Sequence, residues 1–179
     1  MRFAPTSLAV ALALALAACG KASETAAEKM IESSMQKDGG KAKVDLSGGS
    51  ASITTTDAAG KTSQLQFGAA QVSEAELGVP FYPGTRPGEG QSSKISTPDG
   101  TAYTVGLHSD DTPDKVAAFY RERLKAMSEG KQLVDMNAGD GNATLMLSDE
   151  KKKSAIQVHV GKADKGTDIM IVANRGVLK

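Results

Sequence analysis

What most constrains the fold is a change of hydrophobic period that begins at Lys41. From there to Phe67 apolar residues recur at every second position: Val44 and Leu46, then Ile53, then Leu65 and Phe67. Lys43, Asp45, Thr54, Gln64 and Gln66 fall between them. A period of two belongs to strands with one dry face and one wet face. Ser47-Gly48-Gly49 and Asp57-Ala58-Ala59-Gly60 interrupt it with turn chemistry, so residues 41–67 are expected to form a three-stranded antiparallel meander.

The next stretch, Gly68 to Gly90, has no period and sets Pro80, Pro83 and Pro87 among glycines. That composition excludes a regular helix or a central strand, and 68–90 is expected to join two lobes. Beyond it, Ser93 to Thr97 and Thr101 to Leu107 flank the turn Pro98-Asp99-Gly100, with Tyr103, Val105 and Leu107 sharing one face. A helix is expected over 113–128. Thr112 or Asp111 would cap it, Pro113 suits its first position, Asp114 complements its positive end and Gly130 closes it. Its buried stripe would be Val116, Phe119, Tyr120, Leu124 and Met127, with Arg121, Glu122 and Lys125 towards water.

Four further strands are expected at Gln132 to Met136, Ala143 to Leu147, Ala155 to Val160 and Asp168 to Ala173. The last contains Ile169-Met170-Ile171-Val172 without alternation, as in a strand covered on both faces. Residues 91–179 therefore form an antiparallel sheet carrying one helix, preceded by a small helix and the meander, and the fold class is α+β. The small helix, Ser23 to Gln36, has Thr25 and Glu28 at capping-box spacing and a weak stripe of Ala27, Met30, Ile31 and Met35. It is either a spacer or a lid packed loosely against the body, with the packed helix preferred.

The N-terminus supplies an address. Arg2, an apolar run from Leu8 to Leu16 and small residues Ala17 and Ala18 make an export signal over 1–18. The run is well short of the roughly 18 to 20 residues that span a bilayer. Leu16-Ala17-Ala18-Cys19 resembles the bacterial lipobox and places the only cysteine where that family is acylated. The resemblance implies cleavage before Cys19, lipid on its sulfur and amino group, and, with Gly20 next, sorting to the outer membrane with the body facing the periplasm. Two or three acyl chains hold a protein on a membrane almost permanently. Residues 19–40 would then be the lipid anchor and helical spacer, and with its single thiol used the fold must be held by its core.

Charge and motif narrow the chemistry. Of the 21 basic residues Arg2 leaves with the signal, so 20 face 21 acidic ones, which removes the electrostatic case for nucleic acid. His108 and His159 are the only histidines, each on the polar side of its strand beside Thr104 and Gln157, and no further ligands stand at zinc spacing. Gly60-Lys61-Thr62 ends like a P-loop but has Thr55 where the first glycine belongs, and it joins two strands. Asp110, Asp111 and Asp114 are accounted for by capping a helix, and Asp140-Gly141-Asn142 by a turn. No serine sits in a nucleophile elbow. Lys151-Lys152-Lys153 lies on a hairpin turn, where charge discourages edge pairing; contact with anionic headgroups is the alternative. No cofactor, metal or catalytic residue is expected.

The most distinctive segment is Val79-Pro80-Phe81-Tyr82-Pro83-Gly84. Two aromatics between prolines, in a chain so poor in aromatics, either plug the core or present a rigid apolar surface to a partner, the plug being preferred. With Thr101 to Thr104 and Lys115-Val116-Ala117-Ala118-Phe119-Tyr120, this segment resembles a recurring pattern in uncharacterised bacterial secreted proteins and lipoproteins, in which Pro-x-Tyr-Pro-Gly accompanies a Lys-Val-x-x-Phe-Tyr helix. Relatives continue with Gly-Trp, whereas Gly130 here precedes Lys131 and the chain has no tryptophan. The resemblance implies architecture and compartment, not an activity. The expected function is non-catalytic: an envelope lipoprotein held on the membrane by its lipid, binding an envelope protein through Phe81 and Tyr82. The alternatives are a small-ligand module between helix and sheet, and a hydrolase built on His108 or His159.

Overall fold

The computed structural model describes residues 21–36, 40–47, 50–68, 72–87, 91–139 and 141–176, without the side chains of 21–23 and 138. The export signal and Cys19 lie outside the described residues. The elements are α1 (Lys21–Met35), β1 (Lys41–Ser47), β2 (Ser50–Thr56), β3 (Thr62–Phe67), α2 (Glu74–Leu77), β4 (Ser92–Thr97), β5 (Gly100–Ser109), α3 (Pro113–Ala126), β6 (Gln132–Gly139), β7 (Asn142–Asp149), β8 (Ser154–Lys162) and β9 (Thr167–Gly176).

All nine strands form one antiparallel sheet in the order β1-β2-β3-β4-β5-β9-β8-β7-β6. The sheet dominates the molecule and the helices are accessory to it. The first five strands run as a continuous meander. The chain then crosses by α3 to the far edge and returns through β6, β7 and β8, so that β9 closes against β5 over Gly100–Ser109 and Thr167–Gly176.

The turns follow their sequence chemistry. Between β2 and β3 the Asp57 Oδ1 accepts from the amides of Ala59 and Lys61 at 2.9 and 2.8 Å. Gly60 takes a φ of 79°, which excludes most side chains. At α3, Thr112 is the N-cap residue without a side-chain cap bond, Pro113 opens the helix, and Val116, Ala117, Tyr120 and Leu124 are buried. They pack with Leu145, Leu147, Val158 and Ile171 in the core, and Phe119 and Met127 lie half-buried against it.

Several expectations change. Residues 68–90 do not join two lobes, because β3 pairs directly with β4, from Gln64 opposite Ser96 to Phe67 opposite Ser93. Nor is the segment free of helix: Ser73 and Glu76 make a reciprocal capping box for α2, closed by Gly78 at a φ of 74°. Its pattern of Val72, Leu77, Val79 and Tyr82, all buried, is that of a strap across the sheet.

The α1 stripe is also different. Ala27, Glu28, Ile31 and Glu32 are half-buried, whereas Met30 is 71% exposed. The helix begins ahead of Thr25, and Glu28 does not complete a capping box: its Oε1 accepts from the Leu46 amide at 2.8 Å, and the Glu32 Oε1 accepts from the Val44 amide at 2.8 Å. Gln36 then donates to the Ala42 carbonyl at 3.3 Å. Groups four apart on a helix advance about 6 Å and groups two apart on a strand about 6.6 Å, so helix and strand run in step. α1 packs along β1 as a side-chain cap on an edge that would otherwise offer free amides to a passing strand.

Candidate functional site

The register places every strand residue on one of two faces, and the two ends of the sheet bury opposite ones. In β5 to β9 the apolar residues Val105, Leu107, Leu145, Leu147, Val158 and Ile171 point to the face under α2, Val79, Tyr82 and α3. In β1 to β4 that same face carries Lys43, Asp45, Thr54, Gln64, Gln66 and Lys94, while Val44, Ile53, Leu65, Phe67 and Ile95 point to the other side. Only at β1, beneath α1, is this second face closed: Ala42 and Val44 are buried, Ile53 and Leu65 are half-buried, and Phe67 and Ile95 are exposed. The meander's apolar side is therefore largely uncovered, against the expectation of a dry face.

The uncovered face continues across the rest of the sheet. One row runs through Phe67, Ser93, Thr104, Val172, Gln157, Met146 and Val134, and the next through Gly106, Met170, His159, Thr144 and Met136. In β9, Ile169 and Ile171 are buried but Met170 is 44% exposed, so its unbroken apolar run lies on a strand covered on one side only, against the expectation of cover on both faces. Phe67, Ile95, Met136 and Met170, four large apolar side chains at 41% to 52% exposure, all belong to this face. Among the described residues the face carries no lysine or arginine. Its one carboxylate, Asp168, stands at its rim and bonds His108 Nδ1 at 2.8 Å.

The hydrolase requirement, one imidazole linked to both a carboxylate and a nucleophile, is divided here between two histidines. His108 holds Asp168, and His159 Nδ1 stands 3.0 Å from the Thr144 hydroxyl. Two strand steps separate these imidazoles, with Asp168 and Gly161 opposite one another between them. His159 lines a shallow, wide-mouthed depression of about 560 Å³ with Thr104, Gly106, Thr144 and Met170, whereas His108 lines a separate one beside Pro83, Thr85 and Asp111. Among the described residues no three potential metal ligands gather.

Phe81 and Tyr82 belong to the strap. Tyr82 is 5% exposed, its ring meets Phe119 edge-on at 5.2 Å and its hydroxyl donates to Asp111 Oδ2 at 2.7 Å. Burial, then the bond to Asp111, raises the Tyr82 phenol above its ordinary value. Lys115, then Tyr82, holds the Asp111 carboxyl below its own. Phe81 is half-buried against the core, with its amide donating to Glu74 Oε1 at 2.7 Å. This packing takes Tyr82 out of any free partner surface. Nearby, the Tyr120 hydroxyl is buried close to the Tyr82 backbone without a hydrogen bond among the described residues.

Between α3 and the sheet the space is filled by the core. A cavity of about 310 Å³ opens at the end of α3, lined by Met127, Lys131, Leu147, Lys152, Ile156 and Arg175, but Arg175 is engaged with the Leu77 carbonyl at 2.7 Å. Lys151, Lys152 and Lys153 are exposed on the β7–β8 turn as expected. The chain has no match among family models, curated proteins or solved structures.

Proposed function

We propose that the mature chain is a lipid-anchored protein of the bacterial envelope, sorted to the outer membrane, and that it works without catalysis by binding a protein partner through the uncovered face of its sheet. The observation that carries this reading is the composition of that face: among the described residues it has four exposed large apolar side chains and a single rim carboxylate, in a chain with 42 charged residues. Large apolar side chains left exposed together on one uncharged face mark a candidate interaction site. The anchor rests on Leu16-Ala17-Ala18-Cys19, and α1 begins two residues later, stitched to β1 by Glu28 and Glu32. A lipid at Cys19 would hold the β1 edge near the membrane and leave the sheet to project from it.

Photoreactive residues placed one at a time at Phe67 and Ile95 in intact cells test the binding surface, with Lys43 and Tyr82 as controls. A discrete product from the first two positions alone supports it. A product from Tyr82 alone would return the site to the strap. Loss of lipid label in Cys19→Ser tests the anchor.

A further inference from the structure

We infer that the partner on the open face is a second copy of this chain, two molecules packing these faces together as a two-sheet sandwich with α2 and α3 outside; this rests on the reading of that face as the binding surface. Self-pairing about a two-fold axis lays one patch against itself, so a charged patch would set like charges together. Among the described residues, none of the nine strands turns a lysine or arginine onto this face, and its one carboxylate is paired to His108 at the rim. Unlike partners are commonly steered and told apart by complementary charge, and there is no charge pattern here for another protein to complement. Anionic headgroups would require the cations the face lacks.

The dimensions fit as well. Leaving out β1, which α1 covers, seven gaps of about 4.8 Å over the roughly 20 Å that the strands share give up to about 670 Å². Each partner in a stable complex contributes about 800 Å². Sheet twist splays the outer strands, so the contact centres on β4, β5 and β9, the middle of the order, where Ile95, Ala102, Met170 and Val172 lie. Side chains from two such faces interdigitate across about 10 Å, with half-buried Thr104, Thr144 and Gln157 filling between the apolar ones.

Sedimentation velocity on the chain from Gly20 onward, which keeps every element of the fold, reads the outcome. The wild-type chain is expected to sediment at twice its monomer mass. Ile95→Lys and Met170→Lys each raise the dimer dissociation constant roughly tenfold or more, because the two-fold buries each new charge twice. Both positions are more than 40% exposed, so their thermal midpoints should stay at the monomer's value. Lys125→Glu, on the exposed side of α3, leaves the dimer intact. A wild-type monomer at about 100 µM, a concentration that exposes even weak association, or a dimer indifferent to both lysines, overturns the inference. If the monomer is accompanied by cellular cross-links from Phe67 to a different protein, the face still binds but its partner is not this chain. If no cross-links form either, the binding reading falls with it.

Discussion

The two ends of the sheet solve the same burial problem in opposite ways. β5 to β9 turn their apolar residues towards α2, the 79–82 strap and α3, and bury Val105, Leu145, Val158 and Ile171 completely. β1 to β4 turn theirs the other way, and α1, set along the edge strand, closes only the first of them. One half carries its own cover and the other does not. A sheet can be continuous in hydrogen bonds while its hydrophobic side changes, and the change leaves apolar surface that the chain itself does not cover.

The contrast is broken most sharply by truncation at matched sites. Leu124→Ala, at a fully buried position on α3, should cost about 2 to 5 kcal/mol in urea unfolding. Leu65→Ala, half-buried in the meander, should cost about 1 kcal/mol. Equal losses would mean that the open face is covered.

A smaller effect tests the strap. Tyr82→Phe keeps the ring against Phe119 and removes the bond to Asp111, and should cost about 1 to 2 kcal/mol at neutral pH. The sign with pH follows from the lowered Asp111 value. Its ionised form is favoured by folding, so the contribution is complete above the ordinary value of 3.8 and is lost as pH falls through the lowered folded value. Wild type and Tyr82→Phe should therefore converge in acid, and NMR titration should find the Asp111 carboxyl moved upward in the variant.

The smallest effect concerns the edge. Glu28→Ala with Glu32→Ala removes both carboxylates from β1, and the amides of Val44 and Leu46 should exchange roughly tenfold faster while Val158 is unchanged. If those amides keep their protection, backbone packing rather than the side chains holds α1.

Much of the fold was legible because it is local. Alternation from Val44 to Phe67, the Pro98-Asp99-Gly100 turn and the Pro113 helix start each depend on a few adjacent residues, and each stands where expected. α2 is equally local, and Ser73, Glu76 and Gly78 spell a capped helical turn, but the surrounding prolines and glycines mask it. The tertiary features were not readable. Glu28 has capping-box spacing from Thr25, yet its partner is Leu46, 18 residues away. Met170 and Val172 look like core in sequence, and only the register with Gly106 and Thr104 shows them on the open side. Without register, the apolar sets of β1–β4 and β5–β9 cannot be assigned to opposite faces, so the sequence alone makes Phe81 and Tyr82 more conspicuous than the open face.

Maleimide labelling of Met170→Cys, compared between the dilute chain from Gly20 onward and the full chain in intact cells, tests the central claim most directly. The open face predicts rapid labelling of the dilute chain and marked protection in cells, where its partner is present. Equal rapid labelling in both would contradict a binding role for this face, and slow labelling of the dilute chain would contradict its being open.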